Sequence, residues 1–324
     1  MATTDIFRAD VLGGKSILVT GGGSGLGKVI ATALANAGAV VHICGRRQAV
    51  LEATAAEIGN TVHWHICDIR DAGSVDAMMD AIWAVGPLTG LVNNAAANFI
   101  APTKDLSPRG FRAITSTVMD GSFHVTLAAG KRWITQGIPG SVVSNLVTWI
   151  WSGSAFVVPS AMAKTALHAM TMSLAVEWGK YGIRLNATAP GPFPTEGAWE
   201  KLNPIPDAKS SATSADTVPM GRFGEMAELQ NLIVFLLSDG CRYLTGQTIA
   251  IDGGQHLAGP GTFADLTAMT DDQWRVAREA IQAASNRDKA QRSTFVDGAQ
   301  RSTGVDGAQR STGVDEIQRT MGVA

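Results

Sequence analysis

Charge is scarce in this 324-residue chain: Lys, Arg, Asp and Glu make up 17% of it and sum to a net charge of −2. With 45% hydrophobic residues beside so few charges, the chain is not a disordered polyelectrolyte. The small negative balance argues against a nucleic-acid binder held by counterion release. No apolar run reaches the length of a membrane span, and the opening MATTDIFRADVLGGKS lacks the basic-then-apolar pattern of an export signal. Cysteine is rare as well. Cys44, Cys67 and Cys241 form an odd set without C-x-x-C spacing, read as reduced core residues of a cytoplasmic protein. Metal ligands are equally sparse: His63 and His65 share one strand face, no third ligand is evident, and no metal is expected.

What the chain has is a rhythm. Short apolar runs at 16–20, 40–44, 61–69, 90–95, 141–146, 183–190 and 248–254 read as seven strands, with helical stretches such as 25–38 and 49–59 between them. Strands alternating with helices imply right-handed crossovers and a parallel sheet, and apolar strands imply cover on both faces. The expectation is a single α/β domain, Rossmann-type and doubly wound, over 11–258, behind an N-terminal tail of 1–10. Residues 193–224 interrupt the rhythm with Pro, Ser, Thr and Ala. They follow a strand end, where ligands of such folds bind, so they read as a substrate lid or else a plain surface excursion. A helical extension is expected over 259–288, with Thr270 as N-cap and Gln273 in capping-box spacing. Beyond it come nine-residue repeats, AQRSTFVDG, AQRSTGVDG and AQRSTGVDE, then a decayed copy. Each carries too little apolar surface to offset chain ordering, so 289–324 is expected to be disordered.

The chemistry begins at VTGGGSGLGKV, which follows a strand and opens a helix. Gly21, Gly25 and Gly27 there let the chain turn tightly, bring backbone N–H groups to a pyrophosphate and pack helix on strand. Ser24 and Leu26 lie in the same turn. The second strand ends in CGRR rather than in the acid that would meet free ribose hydroxyls. Arg46 and Arg47 suit a 2′-phosphate, so the cofactor is read as NADPH; the alternative is a solvated basic turn. Asp68, past the third strand, reads as an adenine acceptor or a turn cap. Asn93 and Asn94 end the fourth strand, beside the expected nicotinamide ribose, and Ala95 adjoins them as a further cofactor contact. Ser160 and Lys164, four apart, share one helical face.

TGGGSGLG, NNAA, the S-x-x-x-K pair, APGP and TGQTIAIDGG together resemble the short-chain dehydrogenase/reductase family. More narrowly, NNAAANFIAPTKDLSP, GSAFVVPSAMAK and AVEWGKYGIRLNATAPGP resemble its mitochondrial-type 2,4-dienoyl-CoA reductases, over roughly residues 10–288. That resemblance implies an NADPH-dependent reductase of acyl-CoA thioesters in fatty acid β-oxidation, assembled as a homotetramer. It implies that Lys164 binds the nicotinamide ribose, that Ser160 aligns the site, and that Asn98 holds the thioester oxygen. It implies cofactor contacts along Gly21 to Leu26, at Arg46 and Asp68, and at Pro190, Gly191 and Phe193. CoA and acyl contacts fall on Arg70, Phe99, Ser107 and Lys201. Trp149 stands where the subgroup has a tyrosine that shares the thioester oxygen, and is either a substitute indole donor or a pocket wall. Asp120 stands where the family usually carries a helix asparagine.

Most of the family has tyrosine where this chain has Ser160. Hydride addition to a ketone charges an oxygen that needs a proton from an acid. Addition to a double bond conjugated with a thioester charges a dienolate oxygen, which hydrogen-bond donors can hold at about 3 kcal/mol each. A site without the tyrosine therefore suits conjugate reduction. The rivals are an NADPH-dependent reductase of a non-CoA enone, imine or ketone, and a catalytically silent NADPH-binding protein.

Overall fold

The computed structural model describes residues 8–194, 215–258, 266 and 269–301. Its strands are β1 (Ser16–Thr20), β2 (Val40–Gly45), β3 (Val62–Ile66), β4 (Gly90–Asn93), β5 (Gly140–Asn145), β6 (Ile183–Pro190) and β7 (Thr248–Ile251). All pair in parallel, in the order β3-β2-β1-β4-β5-β6-β7. The chain winds outward from β1 to β3, then crosses back to lay β4 against the other side of β1. A crevice opens at that reversal, beyond the carboxyl ends of β1 and β4, and ligands of doubly wound sheets bind there.

Alternation along the strands divides the core. Ile17, Val19, Val41 and Ile43 face one side, where α1 (Gly25–Asn36), α2 (Gln48–Ile58) and α8 (Met226–Leu237) supply Ile30, Leu51 and Ile233. Leu18, Leu91, Val142 and Leu185 face the other, against Met79, Trp133 and Trp178 of α3 (Ala72–Val85), α5 (Gly121–Gln136) and α7 (Val158–Trp178). Each layer therefore buries an apolar face of the sheet. The expected cover fails at β3. It is the outer strand, only Val62 is buried, and Trp64 and Ile66 are exposed.

α4 (Pro108–Thr115) joins α5 through a π-helical turn, Ser116–Asp120, so Asp120 sits half-buried at an irregular point of a long helical run. Short α6 (Trp149–Ser152) follows β5, and α9 (Gln255–Ala258) follows β7. α10 (Asp271–Arg301) begins as read from the sequence: Gln273 N–H donates to Thr270 Oγ1 at 3.3 Å, and Thr270 N–H to Gln273 Oε1 at 2.8 Å.

α10 does not stop at residue 288. It runs on to Arg301, through the whole first repeat, which corrects the expectation of disorder for 289–301. The first copy has Phe295 where the later two have Gly304 and Gly313. Glycine costs a helix about 1 kcal/mol relative to alanine, so the first copy is the better helix former. The other repeats lie outside the described residues. Two compact units are distinguished, Met1–Gln282 and Ala283–Ala324; all of the chemistry below lies in the first.

Candidate active site

The glycine turn is built as its spacing requires. Gly21 has φ 66° and Gly25 φ 52°, conformations that favour glycine. A Cβ on Gly27 would lie 2.2 Å from Gly21 O and 2.6 Å from Asn94 Nδ2. Ser24 is the N-cap of α1 but makes no capping bond; its hydroxyl instead accepts from Arg47 Nη2 at 3.2 Å. The first N–H groups of α1 thus have no side-chain cap, which fits a pyrophosphate seated on a helix N-terminus. Leu26 is half-buried against the core beneath.

Past the ends of β2 and β3, basic groups gather. Arg46 and Arg47 are exposed. Asp68 forms a bidentate pair with Arg70, and these hydrogen bonds, aided by the Arg46 charge, hold the Asp68 carboxyl below its ordinary range. Arg70, expected among the acyl-CoA contacts, is paired with Asp68. With no acid at the end of β2, the Asp68 carboxylate faces the charges of Arg70 and Arg46, while Arg47 turns to Ser24.

Lys164 is buried, on the face of α7 that also carries buried Ser160. Its Nζ donates to the backbone carbonyl of Asn145, at the end of β5. Burial pushes the ammonium down to about 8. One of its three N–H donors has a protein acceptor among the described residues, which leaves two for a diol such as a ribose. Asn94 Nδ2 donates to Thr20 O at 3.1 Å, and the N–H groups of Asn94 and Ala95 both reach Thr20 Oγ1 at 3.0 Å. Asn93 points away into the sheet, donating to Thr126 Oγ1 at 2.8 Å.

From Ala95, which nearly touches Gly21, the chain runs across the mouth of the crevice to Phe99, packed against Leu146 and Ala163. Asn98 lies on this run, and its side-chain oxygen is buried without a hydrogen-bond partner. Asn98 itself is half-buried, so it presents a carboxamide with one buried end whose bonding capacity is unfilled. On the other side, Pro190 ends β6, Gly191 N–H donates to Ile251 O at 3.0 Å, and Phe193 is buried. A Cβ at Gly191 would lie 2.6 Å from Asp252 Cβ, so only glycine lets these two strand ends close.

Comparison with known proteins gives this geometry a context. The family model described as enoyl-(acyl carrier protein) reductase matches residues 21–256. The chain belongs to the short-chain dehydrogenase/reductase family. Among its relatives is a Bacillus subtilis (strain 168) protein named "Probable 2,4-dienoyl-CoA reductase [(2E)-enoyl-CoA-producing]", 42% identical over 75% of this chain and 97% of that one. A Caenorhabditis elegans protein named "Probable 2,4-dienoyl-CoA reductase 3 [(3E)-enoyl-CoA-producing]" is 40% identical over 89% of this chain and 96% of its own length. The crystal structure of a gluconate 5-dehydrogenase from Burkholderia cenocepacia J2315, in complex with NADP and tartrate, superposes with a TM-score of 0.71 at 31% identity, covering 78% of this chain and 99% of that one.

As a short-chain dehydrogenase/reductase, the chain is an oxidoreductase whose fold binds a nicotinamide cofactor, and several of its features are its own. Trp149 is buried in an apolar cluster with Ile100, Val157, Leu266, Trp274 and Ala277, so the start of α10 backs the wall on which it stands. Phe156, the one non-glycine residue with positive φ (65°) among those described, lays its ring 4.4 Å from that of Trp274. Ion pairs Lys104–Asp271 (3.0 Å) and Arg278–Asp105 (2.9 Å) tie α10 to the segment after Asn98. A cleft of about 470 Å³ opens outside Phe156, lined by Lys104, Met269 and Trp274 among others. It does not include Asn98, Ser160 or Lys164 and is not the reaction cavity.

Other expectations resolve singly. Ser107, read as an acyl-CoA contact, caps α4 by accepting from Gly110 N–H at 3.0 Å. Arg222, at the end of the expected lid, forms a two-point pair with Glu228 at 2.7 and 2.8 Å, which holds that carboxyl down at about 2. Lys201 and most of the lid fall outside the described residues. His63 and His65 do have a third imidazole nearby. His42, on β2, lies 2.9 Å from His65 by its Nδ1, and burial followed by the charges of His65 and His63 pushes it down to about 4. No group of three such side chains is arranged to hold a metal among the described residues.

Proposed function

We propose that this chain is an NADPH-dependent reductase of a 2,4-dienoyl-CoA or closely related conjugated thioester. One observation carries the reading: the crevice holds a buried lysine with serine in the place of a tyrosine acid, and across its mouth a half-buried carboxamide whose buried end has no hydrogen-bond partner. The first removes the proton donor that a ketone needs; the second is what a dienolate oxygen needs. Names borne by relatives at 40% and 42% identity support the same substrate class.

The Gly21–Gly27 turn and the uncapped start of α1 would hold the cofactor pyrophosphate, Arg46 and Arg47 its 2′-phosphate, and Lys164 its nicotinamide ribose. Asn94, Ala95, Pro190, Gly191 and Phe193 would enclose it. Bound NADPH supplies the hydride. Asn98 donates to the thioester oxygen, so that negative charge has a fixed dipole waiting for it. Ser160 orders the face beside Lys164. Phe99 and Trp149 exclude water along the acyl chain, while Arg70 reaches CoA only by leaving Asp68. Trp149 acts as wall rather than donor in this reading, because it is buried in an apolar cluster. Exposed Phe123, Met172 and Val176 on α5 and α7 support a homo-oligomer, a tetramer in this reading, working in fatty acid β-oxidation in the cytoplasm.

Incubation with 2,4-hexadienoyl-CoA and NADPH, with product analysis, tests the assignment. Oxidation of NADPH with formation of an enoyl-CoA is expected. Turnover of ketones or cyclic enones alone overturns it. Trp149→Phe, which keeps the wall and removes the indole N–H, is expected to retain activity within about fivefold, against the hundredfold of a lost oxyanion donor. Replacing Arg46 and Arg47 together by alanine is expected to raise the Kd for NADPH about tenfold or more and leave that for NADH nearly unchanged. Charge-assisted bonds of this kind are worth about 1.5–3 kcal/mol each. Fluorescence titration reads both.

A further inference from the structure

Asn145 attracts no attention in the sequence, where it is one letter near the end of an apolar strand. In the structure it is 6% exposed and touches three elements at once. Its carbonyl accepts from Lys164 Nζ. Its side-chain Nδ2 donates to Asn94 Oδ1 at 3.1 Å, and its Oδ1 accepts from Thr188 Oγ1 at 3.2 Å. Asn94 passes the connection to Thr20 O at 3.1 Å. Thr20, Asn94, Asn145 and Thr188 stand at the carboxyl ends of β1, β4, β5 and β6, adjacent in the sheet. A belt of side-chain hydrogen bonds thus crosses the floor of the crevice. It runs from the residue before Gly21 to the strand that delivers Pro190 and Gly191.

We propose that Asn145 is a positioning residue for the cofactor site: its carboxamide fixes the end of β5, and thereby the carbonyl that aims Lys164, relative to the strand ends on either side. The inference rests on the cofactor-binding part of the proposed function and not on the identity of the acyl substrate. The chemistry favours asparagine alone. The position needs a donor towards Asn94 and an acceptor towards Thr188 from one short planar group, and an amide supplies both. Leucine has a similar volume and supplies neither, leaving a buried amide oxygen and a hydroxyl unpaired. Aspartate could accept from Thr188 but would face the Asn94 oxygen with a second acceptor. The backbone carbonyl survives each substitution, so what is lost is its alignment.

The test measures NADPH affinity of the full chain by fluorescence titration from pH 6 to 10, with no acyl substrate present. Asn145→Leu is expected to raise the Kd about tenfold, the scale of one unpaired buried polar group. It is also expected to move the alkaline loss of binding to lower pH, because a misaligned carbonyl favours the Lys164 ammonium less. Thr188→Val, which removes one arm and is the milder change should Asn145→Leu fail to fold, is expected to raise the Kd a few-fold with the same direction of pH shift. The double variant should be no weaker than Asn145→Leu alone, since both act through one network. A lowered Tm with unchanged Kd and unchanged pH dependence, in either single variant, overturns the proposal, as does full additivity in the double. A chain that binds NADPH as predicted but turns over no dienoyl thioester leaves this inference standing and sinks the substrate assignment instead.

Discussion

Asn98→Ala is expected to lower kcat/KM for a 2,4-dienoyl-CoA about a hundredfold to a thousandfold, with the Kd for NADPH unchanged. The magnitude is that of removing one preorganised donor from an oxyanion site, about 3–4 kcal/mol. The unfilled bond at the buried end of this carboxamide explains why the loss falls on the transition state. An amide already satisfied by the protein would have to break a bond before it could help. This one has a buried end without a partner, and that bonding capacity is used only when charge reaches the substrate oxygen. The loss should appear chiefly in kcat, as for an interaction made mainly in the transition state. Asn98→Asp should be as damaging, because a carboxylate repels the dienolate. Steady-state kinetics on the two variants, beside a cofactor titration, would show a different picture if Asn98 were merely structural: a lowered Tm with near-normal kcat.

Lys164→Met is expected to cut kcat/KM at least a hundredfold and, at the same time, to make the folded chain more stable below pH 8. Both effects come from burial. Taking the ammonium out of water lowers it from its ordinary 10.5 to about 8. Between those values the unfolded chain binds a proton that the folded chain does not, so stability rises with pH across that window. The full penalty, roughly 3 kcal/mol by the linkage relation, is present below about pH 8 and relieved as pH rises towards 10.5. Cofactor binding has the opposite sign, since the charged form is the better donor to the ribose, and it weakens as pH rises through about 8. Denaturation midpoints across pH 7 to 10.5 should climb for the native chain and stay flat for Lys164→Met at this contribution. Parallel curves for the two would mean that Lys164 is solvated.

The expected site residues divide by the kind of information that betrays them. Gly21, Gly25 and Gly27 were legible because a tight turn between strand and helix is a local event, and the glycines it needs are spaced by the turn itself. Ser160 and Lys164 were legible because four residues make one helical step. Ser107 has a second, local role that the resemblance did not show: its hydroxyl caps the helix it begins. Arg70 pairs with Asp68 two residues away, a choice of side-chain rotamer that no spacing records. The end of α10 was misjudged because the repeats were weighed as one composition, although the first copy carries Phe295 in place of glycine.

By itself the sequence determined the doubly wound sheet, the glycine turn between β1 and α1 and the helix that carries Ser160 and Lys164 on one face, since each is written in residues close together along the chain and obeys the periods of strand and helix. Only the tertiary structure decided which distant polar groups would meet. It laid Asn145 between Asn94 and Thr188, set His42 against His65, left one end of the Asn98 carboxamide buried without a partner, and put Trp149 in one apolar cluster with Trp274 of α10. Those outcomes depend on strand order and on the depth of each side chain in a closed interior. Burial there makes every unmatched hydrogen bond costly and every matched one directional.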